Sequence, residues 1–253
     1  MRAAAGPEHR LGGRYRLRGR VYVGVSGFAY EEWRNRFYPE GLPASRFLEH
    51  YATRLPTVEL NHTFHRFPAP ALVERWLRVT PASFRFCLKV QRSISHSAAG
   101  FPKEEAAASF ANAVAPLGDR LGPLLVDVPR AFKPDPARLD AILAALGRPA
   151  AVEFRDEAWL IDPVFQVLER RGCVVASVDE EGVTTLERPR VPFSYYRLRR
   201  GEVDSWSPRL EAARATGDVY AFVRHAPEAP ALAARLLELA EATAASRRAR
   251  TRS

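Results

Sequence analysis

The sequence predicts an α/β protein, a single parallel (β/α)8 barrel of the TIM type, and two recurring patterns carry that prediction. Eight short runs rich in Val, Ile, Phe and Tyr recur along the 253 residues, most of them bounded by Gly, Pro or Asp, which is typical of strands. Segments with apolar residues at three- and four-residue spacing separate nearly all of these runs, which is typical of helices. Alternating strands and helices favour a parallel sheet, and about 225 residues suffice to close eight strands into one barrel.

The predicted strands follow one another along the chain as VYVGV from Val21, TVEL from Thr57, FRFCLKV from Phe84, LLVDV from Leu124, AAVEF from Ala150, CVVASV from Cys173, YYRL from Tyr195 and DVYAFV from Asp218. The predicted helices are SRFLEHYATR, APALVERWLRV, EEAAASFANAVAPL, PARLDAILAAL, DPVFQVLERRG, a weak SPRLEAARATG and a long APALAARLLELAEATAAS. Several of them begin at Ser, Pro or Asp, as helix N-termini do. Between Val178 and Tyr195 the periodicity is poor. The helix between the sixth and seventh strands is therefore expected to be weak or absent.

An open, doubly wound sheet is the alternative arrangement of the same elements. A dinucleotide-binding sheet of that kind carries a GxGxxG turn after its first strand. Here the first strand ends in Gly24-Val25-Ser26-Gly27-Phe28, which lacks that pattern. The barrel is therefore the favoured fold, and no cofactor is expected.

The formal net charge of +9 comes from the two ends of the chain. Residues 1–20 hold six arginines against Glu8, and residues 246–253 hold four arginines and no acid, so the segment 21–245 is balanced. We expect 21–245 to be the barrel domain, and 1–20 and 246–253 to be disordered basic tails. Such tails would contact nucleic acid weakly, by neutralising phosphates without recognising sequence.

Cysteine usage and hydropathy indicate a cytoplasmic protein. Cys87 and Cys173 each lie inside an apolar run, which favours buried reduced thiols over a disulfide framework. No apolar run approaches the roughly 20 residues that span a bilayer, so no membrane contact is expected. The first 20 residues carry charge but no apolar core of the secretory type.

Polar side chains follow nearly every predicted strand, at the end that forms the functional face of a barrel. They are Ser26 and Tyr30, then Glu59, Asn61 and Thr63, then Lys89, Arg92 and His96, then Asp127, Glu153, Arg155, Asp179, Arg197, Arg224 and His225. Side chains two apart share a strand face, so Glu59, Lys89 and Glu153 are all expected to point inwards. Glu59 and Lys89 should meet across one interstrand spacing of about 4.8 Å.

Four kinds of chemistry fit these residues to different degrees. Carboxylates at Glu59, Asp127, Glu153 and Asp179 suit a divalent metal, but neighbouring cations favour a network of ion pairs instead, and no metal is expected. A glycosidase with two carboxylates about 5 Å apart is disfavoured, because the seventh strand offers Arg197. Lys89 as a Schiff-base nucleophile would need a depressed pKa, which pairing to Glu59 would oppose.

The fourth and favoured reading is an anion site. Lys89, Arg92, Arg155, Arg197 and Arg199 converge on one face, and the planar fork of Arg suits phosphate and carboxylate. The neutral donors would be Ser26, Asn61 and Thr63, and the stacking faces Tyr30, Trp33, Phe64 and Trp159, although core packing explains each aromatic ring as well.

The sequence therefore predicts binding of an anionic, phosphorylated or carboxylated small molecule, and it leaves open whether the protein is an enzyme. Glu59 or Glu153 is the candidate general base. His96 is the candidate acid, or equally a helix cap. The alternative from another class is a non-catalytic protein that binds nucleic acid or another polyanion through the strand ends and the arginine-rich tails.

Four segments of the chain resemble, in order and spacing, the YecE-like family, a bacterial and archaeal TIM-barrel family of unknown function. They are VGVSGFAYEEWRNRFYPEGL, VELNHTFHRFPAPALVERW, TPASFRFCLKVQRSISH and AVEFRDEAWL. The resemblance covers residues 21–240 and implies the same fold. It matches Ser26, Gly27, Tyr30, Trp33, Phe37, Tyr38, Pro39, Glu59, Asn61, Thr63, Phe64, Arg66, Pro68, Lys89, His96, Glu153, Phe154, Arg155, Trp159, Asp179 and Arg197. The chain departs from the family pattern at His65, Asp127, Asp156, Arg199-Arg200 and Arg224-His225.

Overall fold

Strands and helices alternate along the chain. A computed structural model of the protein describes residues 19–96, 103–180, 192–200 and 202–250, with the backbone alone at 103 and 244–250. The strands are β1 (Val21–Ser26), β2 (Thr57–Leu60), β3 (Arg85–Leu88), β4 (Leu124–Val128), β5 (Ala150–Phe154), β6 (Val174–Val175), β7 (Ser177–Asp179), β8 (Phe193–Leu198) and β9 (Asp218–Val223). The helices are α1 (Phe47–Ala52), α2 (Pro70–Val79), α3 (Arg92–Ser95), α4 (Lys103–Val114), α5 (Pro136–Leu146), α6 (Asp162–Arg170), α7 (Ser207–Ala213) and α8 (Ala229–Arg250).

The strands form two sheets in which each pairing of named strands is parallel. The larger sheet has the order β3-β2-β1-β9-β8-β7 and the smaller one β4-β5-β6. Two features join their edges: isolated parallel bridges pair Phe86 with Leu121 and Lys89 with Leu125, and Ala176 alone separates β6 from β7. The parallel α/β fold is confirmed, whereas the closed eight-stranded barrel stays a prediction.

Two buried apolar clusters divide the strand residues by the direction of their side chains. The larger cluster lies where outward-facing strand residues meet the helices, and it includes Val23, Val58 and Tyr196. The inner cluster draws on both sheets and consists of Tyr22, Cys87, Leu125, Ala151, Val174, Ala176, Phe193, Tyr195, Tyr220 and Phe222. Adjacent residues such as Tyr195 and Tyr196 fall in different clusters because successive side chains of a strand point to opposite faces. The two sheets therefore share one interior.

Helix α5 shows how local sequence sets the limits of a helix. Asp135 precedes it and accepts a hydrogen bond from the backbone nitrogen of Arg138 at 2.9 Å, which satisfies one of the unpaired N–H groups of the first turn. Pro136 takes the first helical position, where its missing N–H costs nothing. Gly147 ends the helix in the left-handed region at φ 57°, a conformation that glycine adopts without strain.

The predicted strands are all present, although the sixth is split into β6 and β7. Seven predicted helices are present as well, and the short helix α3 is an addition. The segment expected to lack a helix falls largely on 181–191, which lies outside the described residues, as do 1–18 and 251–253 of the predicted tails. Helix α8 continues to Arg250 and so includes residues 246–250 of the second predicted tail.

The two cysteines are both free and buried, as the sequence predicted. Burial raises the pKa of the Cys173 thiol to about 11. Within the described ranges, none of the helices is long and apolar enough to cross a membrane.

Candidate functional site

The carboxyl ends of six strands bring together a connected group of charged and polar side chains. We call this group the strand-end network, and its members are Ser26, Glu59, Lys89, Asp127, Glu153, Arg155, Tyr195, Arg197 and Arg199. The register of the sheets places Ser26 beside Glu59 and Asp127 beside Glu153. The three carboxylates are almost completely buried, so each needs partners that replace water.

Glu59 is the most enclosed of the three carboxylates. It receives hydrogen bonds of 2.8 Å from the Ser26 hydroxyl, the Tyr195 hydroxyl and the Arg197 guanidinium. Burial alone would raise the pKa of Glu59, but the charge of Arg197 and these hydrogen bonds outweigh it and hold the pKa below its ordinary value. Glu59 is therefore ionised and fully partnered.

Arg197 links the carboxylate of Glu59 to that of Glu153. Its second terminal nitrogen donates to Glu153, which also accepts from Arg155 at 2.9 Å and more weakly from Arg199 at 3.4 Å. Burial would lower the pKa of Arg197, and the two carboxylates raise it well above its ordinary range instead. Arg197 serves as the buried centre of the network.

Asp127 and Lys89 form a second branch of the network. The Lys89 ammonium donates to Asp127 at 2.7 Å, and Arg155 donates to the other oxygen at 3.1 Å. Burial raises the pKa of Asp127, but Arg155 and Lys89 together bring it down to about 2. Asp127 is therefore ionised at neutral pH.

The prediction that Glu59 and Lys89 meet is wrong, and the strand register explains why. Glu59 lies beside Cys87, not beside Lys89. Lys89 is two residues further along and pairs with Leu125 instead. Its side chain therefore reaches Asp127 on the neighbouring strand, while Glu59 takes Arg197 as its cation.

The carboxylates are arranged for ion pairs rather than for a metal. Oxygens of Glu59, Asp127 and Glu153 each accept from an Arg or Lys side chain. Asp179 lies apart and faces Arg200 at 3.5 Å. In the part of the chain that the structure describes, no group of three or more His, Cys, Asp or Glu side chains could hold a metal ion.

A cavity of about 240 Å³ opens directly above the network. We call it the cation cavity, and it is lined by Asn61, Phe64, His65, Lys89, Arg155, Arg197 and Arg199. Four of these residues are cations and none is an acid. Exposure of the side chain is 36% for Arg155, 20% for Arg199, 13% for Lys89 and 7% for Arg197. The first three can still offer N–H groups to a ligand.

The network carries one positive charge more than its three carboxylates balance. Burial lowers the pKa of Arg199, and the neighbouring Arg197 lowers it further. The Nε atom of Arg199 is buried without a hydrogen-bond partner, and a carboxylate oxygen of Glu180 lies 3.7 Å from it. Arg199 is therefore a cation of the network that has only long contacts to carboxylates.

A second cavity of about 440 Å³ adjoins the first. We call it the side cavity, and its lining is Phe64, His65, Gln91, Arg92, Ser93 and His96. His96 holds the hydroxyl of Ser95 at 2.8 Å through its Nδ1 atom. Burial lowers the pKa of His96, Asp127 acts in the opposite direction, and the nearby cations Lys89 and Arg92 lower the pKa again. Phe64 and His65 are shared by the two cavities.

With this geometry in place, comparison with known proteins identifies the family. The family model described as "Protein of unknown function DUF72" matches residues 22–252. The chain belongs to the DUF72 family. The resemblance to the YecE-like family that the four sequence motifs indicate is thereby confirmed.

Curated relatives of this DUF72 chain carry no assigned activity in their names. It is 32% identical over 114 residues to UPF0759 protein YecE of Escherichia coli K12, which is 45% of this chain and 39% of the relative. It is 26% identical over 174 residues to UPF0759 protein YunF of Bacillus subtilis 168, which is 63% of this chain and 61% of the relative. The matches thus span less than two thirds of the length of these relatives.

Solved structures of DUF72 proteins resemble this chain along most of its length. A DUF72 family protein from Thermotoga maritima MSB8 is 26% identical with a TM-score of 0.73, covering 88% of this chain and 99% of that one. A DUF72 family protein from Enterococcus faecalis V583 is 20% identical with a TM-score of 0.67, covering 87% and 97%. The second likeness supports the fold alone.

Several residues expected to bind a ligand instead support this DUF72 fold. Trp33 and Trp159 are buried and donate to the backbone oxygens of Ala226 at 2.8 Å and Phe132 at 3.0 Å. Tyr30 donates to the backbone oxygen of Ser26 at 2.7 Å. The stacking faces proposed for these three rings are therefore engaged in packing.

Thr63 also has a structural role, because its hydroxyl contacts the backbone oxygens of Leu60 at 2.9 Å and Lys89 at 2.7 Å. Arg92 is exposed at the start of α3 and lines the side cavity rather than the cation cavity. Among the positions that depart from the family pattern, Asp156 caps a short 3-10 helix by accepting a hydrogen bond from the backbone nitrogen of Ala158 at 3.0 Å. His225 pairs with Glu32 at 2.9 Å.

Two contributors to the site, Tyr195 and His65, lie outside the predicted set of site residues, and Asp127 is predicted only as a strand-end carboxylate that would suit a metal. Tyr195 precedes Arg197 by two residues on β8, so the same alternation that turns Arg197 inwards also turns Tyr195 inwards. That spacing is the signal in the sequence for Tyr195. Asp127 is visible as the polar residue that ends β4, but its two cationic partners depend on the register of three strands.

Proposed function

We propose that this DUF72 protein binds an anionic small molecule, phosphorylated or carboxylated, in the cation cavity. The four cations that line that cavity, with no acid among its described lining residues, support the proposal most directly. The buried carboxylates behind the lining hold Lys89, Arg155 and Arg197 in place, so the cations are positioned before the anion arrives. A pre-positioned site avoids the cost of ordering long side chains during binding.

The proposed frame of this site is an eight-stranded barrel, with β6 and β7 as two halves of its sixth strand. Three observations support closure between the two sheets: the bridge from Lys89 to Leu125, the hydrogen bond of 2.8 Å from the nitrogen of Val90 to the oxygen of Leu125, and the shared inner cluster. In such a barrel the carboxyl ends of the strands form the binding face.

Binding has more support than acid/base catalysis by Glu59 or Glu153. A general base must reach the proton that it removes, and both carboxylates are buried beneath the cations that line the cavity. Glu59 in addition has a lowered pKa, which makes it a weak base. His96 is the better placed candidate for proton transfer, because it lines the side cavity.

The proposal is tested by phosphate binding to the native protein and to Arg199→Gln, measured by calorimetry at constant ionic strength. Arg199 has only long contacts to Glu153 and Glu180, so its removal leaves little unpaired. We expect the Kd for phosphate to rise about tenfold or more, since a hydrogen bond to a charged group contributes about 1.5–3 kcal/mol. The melting temperature should stay nearly unchanged.

Arg46→Gln is the matched control. Arg46 forms an exposed pair with Glu49 at 2.9 Å and lines neither cavity, so this variant loses the same charge from the whole molecule. Its phosphate affinity should equal that of the native protein. If phosphate, citrate and pyrophosphate all fail to bind the native protein, the cation cavity is not an anion site.

A further inference from the structure

The amide oxygen of Asn61 is an acceptor in a cavity whose lining includes four cations. Asn61 lines the cation cavity, and its Oδ1 atom is buried without a hydrogen-bond partner among the described residues. A buried acceptor without a partner costs about 1–3 kcal/mol. The phosphoryl group of a phosphate monoester dianion cannot satisfy it, and neither can a carboxylate, because each of these groups brings acceptors only. The ligand that completes this site must also bring a donor, such as a hydroxyl group.

The arrangement of the cations favours a phosphate over a carboxylate as the anionic group. Lys89, Arg155 and Arg199 follow three different strands and keep exposed surface towards the cation cavity. Three separate cationic groups can address three oxygens, which a phosphate monoester has and a carboxylate lacks. Arg197 is enclosed beneath them and holds Glu59 and Glu153.

The side cavity provides room for the uncharged part of such a ligand. It shares Phe64 and His65 with the cation cavity, so one molecule can occupy both. Its volume of about 440 Å³ lies within the usual range for small-molecule sites, roughly 300–1,000 Å³. Gln91, Arg92 and Ser93 add polar side chains to the lining, which suits hydroxyl groups.

The aromatic rings of the side cavity do not suit a flat nucleobase. The ring of His96 stands at 81° to that of Phe64 with centroids 5.0 Å apart, and the ring of His65 stands at 83°. The Lys89 ammonium lies 4.1 Å from the centroid of Phe64. A base is held by stacking against parallel aromatic faces, and perpendicular rings leave no parallel slot. They do leave a corner that a non-planar body can fill.

From these four observations we propose that the ligand is a sugar or polyol phosphate. This inference rests on the proposed anion site and names its substrate class. The phosphate binds among Lys89, Arg155 and Arg199, a hydroxyl group of the ligand donates to the Oδ1 atom of Asn61, and the remaining hydroxylated carbons extend over Phe64 into the side cavity.

The test compares four probes on the full chain by calorimetry: inorganic phosphate, ribose 5-phosphate, ribose and adenosine 5′-monophosphate. We expect ribose 5-phosphate to bind at least tenfold more tightly than inorganic phosphate, and ribose alone to bind very weakly. Asn61→Leu removes the acceptor while nearly keeping its size. In this variant the Kd values of ribose 5-phosphate and inorganic phosphate should lie within about twofold of each other. The Kd of inorganic phosphate itself should be unchanged.

Asn112→Leu is the matched control, since Asn112 is exposed on α4 and lines neither cavity. Gln91→Ala gives a second, independent variant in the side cavity. It should likewise reduce the gain in affinity of ribose 5-phosphate over inorganic phosphate. The melting temperature of each variant shows that it folds.

The outcomes separate this inference from the proposed function. If inorganic phosphate and ribose 5-phosphate bind the native protein equally well, the inference fails and the anion site stands. If no phosphorylated probe binds, the inference fails, and the proposed function fails with it only if citrate and pyrophosphate do not bind either. Binding of adenosine 5′-monophosphate more than tenfold tighter than ribose 5-phosphate would contradict the sugar phosphate class, because the base would then supply the affinity.

Discussion

Asp127 illustrates how a buried carboxylate depends on its two cations. The pKa of Asp127 is about 2: burial raises this pKa, but the hydrogen bonds and charges of Arg155 and Lys89 lower it by more. A carboxylate with a lowered folded-state pKa contributes stability that is present above its unfolded pKa and is lost as the pH falls towards the folded value. The relevant window therefore runs from about pH 4 down to about pH 2.

We expect Asp127→Asn to lower the free energy of unfolding by about 2–4 kcal/mol at pH 7, because Lys89 and Arg155 lose their shared partner. The difference from the native protein should narrow as the pH falls below about 4. Urea denaturation at a series of pH values measures both effects.

Asp140→Asn is the control for this experiment. Asp140 also has a pKa of about 2, with the hydrogen bond from Arg171 as the main cause, but it lies at the surface. Water and salt screen such a pair, so the loss of stability should be clearly smaller than for Asp127. Equal losses in the two variants would show that burial of the strand-end network adds nothing to its ion pairs.

The same residues show what sequence can and cannot specify about a site. Alternation along a strand is enough to place Glu59, Glu153 and Arg197 in the interior, and the structure buries all three. Pairing is different, because it depends on the stagger between strands. Lys89 meets Asp127 rather than Glu59 since it lies one inward position beyond Cys87, the residue beside Glu59. A single sequence carries no signal for that stagger.

At the scale of elements, the turn after β2 is tied to the end of β3. Thr63 lies in a 3-10 turn that follows β2, and its hydroxyl contacts the backbone oxygens of Leu60 and Lys89. The turn also carries Asn61 and Phe64, which line the cation cavity. One buried hydroxyl therefore couples the position of two cavity residues to the strand that carries Lys89.

We expect Thr63→Val to destabilise the protein by about 1–2 kcal/mol, since it keeps the shape of the side chain and removes its hydrogen bonds. Phosphate affinity should fall as well, because Asn61 and Lys89 are no longer held in register. Thr53→Val is the control: Thr53 donates to the backbone oxygen of His50 at 2.7 Å on the exposed side of the chain. If both variants bind phosphate like the native protein, the turn is not coupled to the site.

Element boundaries show a second limit of sequence reading. CVVASV reads as one continuous strand, yet the structure divides it at Ala176 into β6 and β7. The nitrogen of Ala176 donates to the oxygen of Val152 at 2.9 Å on one side, while Ser177 pairs with Tyr196 on the other. The division reflects a change of partner between the two sheets, and the residues themselves do not reveal it. The four-residue helix α3 is likewise too short for a periodic signal.

At the scale of the whole molecule, the distribution of charge separates a small-molecule site from a nucleic-acid site. The net charge of +9 comes from arginines at the two ends of the chain, and residues 21–245 are balanced. Non-specific binding to nucleic acid follows the number of phosphates that cations neutralise. The proposed binding of an anion in the cation cavity would, in contrast, depend on fixed local contacts and little on charges elsewhere.

The last prediction therefore concerns a full-length variant in which Arg2, Arg10, Arg14, Arg16 and Arg18 are replaced by glutamine, which reduces the net charge from +9 to +4. Its Kd for phosphate at constant ionic strength should stay within about twofold of the native value, because the proposed contacts to phosphate come from Lys89, Arg155 and Arg199. Its affinity for single-stranded DNA should fall, and the slope of log affinity against log salt should shrink by up to about 3–4, since each neutralised phosphate contributes about 0.7. Arg199→Gln should show the opposite pattern, with phosphate binding reduced and the DNA slope almost unchanged. If DNA affinity and its salt slope survive the five substitutions and fall in Arg199→Gln, the strand ends bind phosphodiesters, and the assignment to a small molecule is wrong.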